Sequence, residues 1–201
     1  IIAKAPSKHC SLDPVPTWLL KRLVPILAIT LSNITNVSIR EGVFPAVLKQ
    51  AIVRPRIKKS TLNPDDLASY RPISNLSFLS KMIERIVSAR FTEHAESQNL
   101  LPCRQSAYRT HHSTETAIAA VHDEIVRAIN GGNICALVLL DLSSAFDTVD
   151  HNTLLECTQP SFRYQRTYFG LAIWFKSYLE DRTQTFHVGQ HESGPHSVGC
   201  S

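Results

Sequence analysis

The strongest constraint on this 201-residue chain is an uninterrupted apolar run, Ile134-Cys135-Ala136-Leu137-Val138-Leu139-Leu140, bounded by Gly131-Gly132 before it and Asp141 after it. A run of strand length with no polar alternation predicts a central strand buried on both faces. Its exit is the informative point, because a carboxylate follows seven residues that carry no charge. Around it, 43% apolar residues are enough to bury a core, which excludes disorder as the main state.

Helical spacing accounts for much of the rest. Trp18, Leu19, Leu23, Leu27, Leu31, Ile34 and Val37 predict helix between Val15 and Arg40, with Pro25 expected to split it in two. Leu79, Ile83, Ile86, Val87 and Phe91 predict a helix from about Leu76 to His94. Ser113 as N-cap, Glu115 in the first turn, the stripe Ile118, Val121, Ile125, Ile129 and a Gly-Gly stop predict another. A short helix is expected around Trp174, a closing strand over Gln184–Val188, and irregular chain near Pro160. The stretch KQAIVRPRIKK from Lys49 reads as an edge strand because it contains Pro55, and Tyr70-Arg71-Pro72-Ile73 as its extended partner in a two-stranded arm.

Charge and cysteine use narrow the function classes. Twenty-one Lys and Arg against 17 Asp and Glu give +4, a balance that permits nucleic acid without requiring it. Five scattered cysteines with no C-x-x-C pair argue against a disulfide framework and a four-cysteine zinc site, and point to a reducing compartment. Pro25, Ser32 and Asn33 interrupt the only long apolar region, and no secretion signal precedes it, so an intracellular chain, nuclear or cytoplasmic, with no membrane partner is expected.

Asp141 at a strand exit suits a hard divalent cation such as Mg²⁺, which prefers carboxylate, carbonyl and phosphate oxygens. A solvent-facing carboxylate capping the next turn fits the same pattern. Asp147 does not complete a site, since six extended residues span about 20 Å and six helical ones turn it to another face. A P-loop reading fails because none of the seven glycines precedes a lysine, and a phosphatase reading because D-x-D is Asp-Leu-Ser here. Lys49, Arg54, Arg56, Lys58 and Lys59, followed by Arg71, supply cations able to converge on a polyphosphate or a nucleic-acid backbone; a solvated basic strand is the plainer alternative. His191, His196 and Cys200 fit no standard metal spacing.

Taken in order, FPAVLKQAIVRPRIKKS, DLASYRPISNLSFLSKMIERIV, QSAYRTHHSTETAI and ALVLLDLSSAFDTVDH closely resemble the reverse transcriptases of LINE-type (non-LTR) retrotransposons, from about Asp13 to the end. The resemblance implies an α+β fold of right-hand polymerase type. It divides the chain into a helical extension over 1–45 and a reverse transcriptase domain over 46–201, with fingers to about residue 130 and part of a palm thereafter. It implies an RNA-directed DNA polymerase that adds deoxynucleotides to a primer 3′-hydroxyl by phosphoryl transfer with two Mg²⁺ ions in the complete enzyme. RNA template, DNA primer, deoxynucleoside triphosphates and the remainder of a retrotransposon polyprotein are the implied partners.

By motif, Asp141 is the implied catalytic and metal-binding aspartate, with the Leu142 carbonyl as a further metal ligand. Phe146 is the implied gate against a ribose 2′-hydroxyl. Arg71 with Lys58 or Lys59 would hold the triphosphate, and Gln105 and Arg109 would line the template path. The later palm motifs, a P-Q-G turn and a paired-aspartate hairpin, are not present, so the chain is expected to be a fragment, truncated within the palm and inactive alone. The alternative is a non-catalytic nucleic-acid-binding remnant of such an element.

Overall fold

A computed structural model describes residues 10–141, 148–162 and 166–198. In chain order the elements are α1 (Thr17–Glu41), β1 (Gln50–Ile57), β2 (Tyr70–Leu76), α2 (Phe78–Ser97), α3 (Thr114–Asn130), α4 (His151–Phe162), α5 (Arg166–Leu179), β3 (Thr183–Val188), β4 (His191–Glu192) and β5 (His196–Ser197). They form two compact units, one of the described residues up to Val87 together with those from Thr148 onward, the other from Ser88 to Asp141.

The first unit is built on a mixed sheet in the order β2-β1-β3-β4, with β5 also pairing β3. β1 runs antiparallel to β2 from Ala51↔Leu76 to Ile57↔Tyr70, and parallel to β3 from Gln50↔Thr183 to Val53↔Phe186. The expectation of an edge strand is therefore corrected: over Gln50–Val53 this strand is central. Proline still governs its outer half. The Lys58 N–H donates to the Ser69 carbonyl at 2.8 Å, so by alternation Arg54 and Arg56 also turn their backbone groups toward β2. Pro55 faces the β3 side, where it has no N–H to offer, and the ladder with β3 stops at Val53. Beyond that point β1 and β2 continue as a two-stranded arm.

Helix α1 runs unbroken through Pro25, contrary to the expected split. Pro25 is exposed, so water can take the carbonyl that its ring leaves unpaired. The inward face overlaps the expected apolar stripe in part: Leu19, Leu23, Leu27 and Leu31 are half-buried, whereas Ile34 and Val37 are exposed. Thr17, Thr35 and Ser38 are buried, Leu31 and Ile39 pack on the core, and Trp18 stays 56% exposed. The fully buried positions are hydroxyl residues, which an apolar stripe does not reveal. The Thr35 hydroxyl donates to the Leu31 carbonyl at 2.9 Å, which lets it be buried at little cost. By length and composition alone α1 could cross a membrane, whereas Leu31, Thr35, Ser38 and Ile39 are committed to this core.

Gly42 ends α1 in the left-handed region (φ 67°), where a side chain would be strained, and the Val43 N–H returns to the Ser38 carbonyl at 3.0 Å. That turn sends Phe44 inward against Met82, Ile83 and Val87 of α2 and Leu171 and Trp174 of α5. Phe44 meets Trp174 edge-to-face at 5.4 Å between centroids, and Tyr178 stacks on Trp174 at 5.2 Å. The Ser38 hydroxyl accepts from the Trp174 indole N–H at 3.0 Å and donates to the Val43 carbonyl at 2.6 Å. Helix α4 also continues through Pro160, where irregular chain was expected.

Burial, and next to it the negative Glu84 that accepts its hydroxyl at 2.9 Å, push the Tyr178 phenol up to about 12 from an ordinary value of 10.0. A raised folded value means that stability is intact below pH 10 and is lost as pH climbs toward 12. The expected loss is about 2 kcal/mol. Urea denaturation at pH 9 and 11.5 checks it, with phenolate absorbance tracking the same rise; Tyr178→Phe should flatten that slope.

In the second unit α3 starts with a capping box. The Ser113 hydroxyl accepts from the Thr116 N–H at 3.3 Å and the Thr116 hydroxyl accepts from the Ser113 N–H at 2.9 Å. Residues 133–141 adopt no regular structure, which corrects the central strand expected there. Ile134 and Leu140 are 100% and 91% exposed. A central strand exists only through neighbours on both sides, and no described strand pairs with this segment.

Candidate functional site

The distal arm carries the basic residues of the first unit. β1 contributes Arg54 and Arg56, β2 contributes Arg71, and Lys58 and Lys59 follow β1 into the loop, all five exposed. Alternation places Arg54 and Arg56 on one face of β1. Register places Arg71 directly across from Arg56, on the same face. Two guanidinium side chains opposite one another repel, and among the described residues neither they nor Arg54 make an ion pair.

Two other members of the basic run have local tasks. Lys49 is buried, and its ammonium donates to the Glu180 carbonyl at 3.0 Å, just beyond the C-terminal end of α5, where a cation is favoured. The Lys58 ammonium donates to the Ala68 carbonyl at 2.7 Å and so helps to close the loop between the strands. Asp66 caps the short 3₁₀ turn Leu67–Ser69 by accepting from the Ala68 N–H at 2.9 Å. Of the residues named for the triphosphate, Arg71 and Lys59 make no side-chain hydrogen bond or ion pair among the described residues, whereas Lys58 spends one of its three donors.

In the second unit Gln105 and Arg109 share a loop that contains two left-handed residues, Tyr108 (φ 61°) and His111 (φ 64°). One nitrogen of the Arg109 fork donates to the carbonyls of Pro102 at 3.3 Å and Cys103 at 3.4 Å, and the Gln105 amide donates to Ala107 at 3.0 Å. The loop is anchored to α2 through Glu96, whose carboxylate accepts from the Thr110 N–H at 3.1 Å and the Thr110 hydroxyl at 3.3 Å. The backbone bond from Thr110 is the main cause that holds the Glu96 carboxyl below its ordinary value, with Arg109 and His111 adding to it.

Asp141 is exposed at the end of the irregular 133–141 segment. Leu142 and Phe146 lie outside the described residues. Among the described residues no group of three or more His, Cys, Asp or Glu side chains could hold a metal ion. A single exposed carboxylate does not satisfy the octahedral, oxygen-rich demand of Mg²⁺, so the described residues do not by themselves fit that ion.

The facing of Arg56 and Arg71 is not legible in the sequence. Its signal was half visible, because Arg54, Arg56 and Lys58 alternate with period two. The partner's register was not, because residues 58–69 separate the strands and a loop of that length fixes no pairing.

Comparison with known proteins bears on all of these residues together. The family model described as reverse transcriptase (RNA-dependent DNA polymerase) matches residues 57–199. Three relatives from Drosophila melanogaster align with most of the chain. The probable RNA-directed DNA polymerase from transposon BS is 35% identical over 94% of this chain and 20% of its own length. The probable RNA-directed DNA polymerase from transposon X-element is 30% identical over 100% of this chain and 21% of its own. The RNA-directed DNA polymerase from mobile element jockey is 32% identical over 94% and 20%. The chain thus spans about a fifth of the length of the curated relatives it matches.

Proposed function

Since this chain belongs to the reverse transcriptase family, alongside the polymerases of jockey-like non-LTR elements, we propose that it serves RNA-directed DNA synthesis as one section of a longer retrotransposon polyprotein. The observation that carries the reading is the match across residues 57–199, which includes the second strand of the arm with Arg71 and the segment with Asp141. The arm, with the helices up to about residue 130, is read as fingers, and the chain from about 131 as the opening of a palm in a right-hand polymerase.

In this reading RNA template, DNA primer and deoxynucleoside triphosphate are the substrates. Arg71 and Lys59 meet the triphosphate, Arg71 as a planar fork and Lys59 as a point charge. Lys58 can assist with the donors that Ala68 leaves over. Gln105 and Arg109 would shape a loop along the template. Asp141 is the acid we assign to the reacting phosphate, and the further acids that Mg²⁺ requires would come from the longer polypeptide.

Phe146 is proposed to block a ribose 2′-hydroxyl. Phe146→Ala in a polypeptide of the relatives' full length should then raise ribonucleotide incorporation on the order of 100-fold relative to deoxynucleotide, about the penalty of one steric or hydrogen-bonding mismatch in a pocket. Paired kcat/KM values for the two sugars measure it, and unchanged discrimination removes the residue from this role.

The second reading, a nucleic-acid-binding remnant without turnover, is favoured by the basic face of the arm. Primer extension on an RNA template separates the two: extension by the full-length polypeptide supports polymerisation, and salt-sensitive RNA binding without extension supports the remnant.

A further inference from the structure

Thr61 is the one hydroxyl residue in the sequence with Lys or Arg at both the second and the third position before it, Lys59 and Lys58, and an apolar residue, Leu62, follows it directly. Ser60 lacks this order, since Ile57 stands three positions before it and Thr61 comes next. Two cations at fixed spacing ahead of a hydroxyl, then an apolar side chain, make the charge pattern that a basophilic serine/threonine protein kinase reads with acids in its cleft and an apolar pocket beyond them. The fold leaves that pattern within reach. Residues 56–68 are exposed throughout, and Leu62 is 36% exposed. Thr61 lies in the loop between β1 and β2, in a tight turn closed by the Leu62 N–H, which donates to the Lys59 carbonyl at 3.1 Å. The side-chain bonds of this loop use Lys58, Asn63, Asp66 and Tyr70, and among the described residues none uses the Thr61 hydroxyl. Opening the turn into a kinase cleft therefore gives up little.

We propose that Thr61 is a phosphorylation site for a basophilic serine/threonine kinase, and that the phosphate turns down the hold of the arm on a triphosphate. In the transfer the Thr61 Oγ1 attacks the γ-phosphorus of ATP, the bond from that phosphorus to the oxygen of the leaving ADP breaks, and the hydroxyl proton passes to the carboxylate base of the kinase. From Arg54 to Arg71 the arm carries five cations against two acids, Asp65 and Asp66, and a phosphate of charge about −2 cuts that excess of three to about one. The phosphate also gives Lys59 and Lys58 a doubly charged acceptor close by in the chain, a stronger partner than the Ala68 carbonyl that Lys58 holds at 2.7 Å. Both lysines are then engaged within the loop. Phosphorylation of Thr61 is independent of the polymerase reading, whereas its effect on the triphosphate rests on that reading.

The test incubates the 201-residue chain with Mg-ATP and the catalytic subunit of cyclic-AMP-dependent protein kinase, and maps the product by tandem mass spectrometry. Phosphate is expected on Thr61. Thr61→Val should abolish it and Ser60→Ala should leave it unchanged. Lys58→Ala or Lys59→Ala should lower the kcat/KM of the kinase about 10- to 100-fold, the worth of one hydrogen bond to a charged group. All four positions are exposed, so the variants should fold, which thermal melts equal to the parent's check. Phosphate on Ser60 or elsewhere with Thr61 bare overturns the proposal, and so does labelling of the unfolded chain but not of the folded one.

Calorimetric titration of inorganic tripolyphosphate into the phosphorylated and unphosphorylated chains reads the consequence. Phosphorylation should weaken binding on the order of tenfold at low salt, and by less as salt screens the charges. Equal affinities overturn the regulation. An absence of binding by the unphosphorylated chain overturns the arm's part in holding a triphosphate, and the consequence with it, while phosphate found on Thr61 still upholds the acceptor.

Discussion

Asp141→Asn, in a polypeptide of the relatives' full length, is expected to lower deoxynucleotide incorporation on a primed RNA template by on the order of 10³-fold or more, while RNA affinity stays within about twofold. The substitution keeps the shape of the side chain and removes one full negative charge. An amide oxygen is a poor ligand for a hard divalent cation, and its NH₂ group would face the phosphate with the wrong polarity. Asp141 is exposed and its side chain forms no hydrogen bond among the described residues, so the change should leave the fold alone. Single-turnover primer extension measures the first effect and anisotropy the second. Activity within tenfold of the parent would take Asp141 out of the chemistry, and a parallel loss of RNA binding would mark it as structural.

Trp174→Ala is expected to be the most damaging single substitution in the first unit. The indole is 1% exposed, stacks on Tyr178, meets Phe44 edge-to-face and donates to Ser38. Truncation leaves a cavity worth ~3–5 kcal/mol, and strips the Ser38 hydroxyl of a buried donor. For a chain of this size that corresponds to a fall in Tm of roughly 10 °C. Calorimetry gives the number. Trp174→Phe, which keeps the ring and loses only the N–H, should recover more than half of it. Equal losses in both variants would assign the effect to the hydrogen bond rather than to packing.

Which elements could be read from the residues follows from where their determinants lie. α2 and α3 carry their own: apolar residues at helical spacing and, for α3, a cap and a glycine stop within the helix's reach. The arm was legible for the same reason, since two extended segments flank a polar loop. The centrality of β1 was not, because it depends on β3 more than 120 residues away in the chain. The unbroken apolar pattern of residues 134–140 predicts a buried strand, yet burial is a property of neighbours, and no described strand pairs with this segment. The apolar pattern shows only the half-buried leucines of α1 and not its most buried positions, because Thr35 and Ser38 satisfy their hydroxyls locally and so behave as core residues. At the candidate site the types of the residues were plain and their company was not: Lys49 and Lys58 look like Arg54 and Arg56 in the sequence, and only the carbonyls of Glu180 and Ala68 set them apart.

The proline pair of the arm also bears on how this molecule keeps to itself. Pro55 and Pro72 are register partners, so both lie at positions whose backbone points away from the β1–β2 seam. On β2, the outermost strand, Pro72 therefore presents solvent with a carbonyl and no N–H. A strand from a second molecule that tried to zip along that edge would lose a bond midway and meet a rigid ring there. Arg71 beside it adds charge to the same margin. A limb that must stand clear of its own sheet is thereby kept from seeding fibres, and replacement of Pro72 by a β-branched residue would remove that protection.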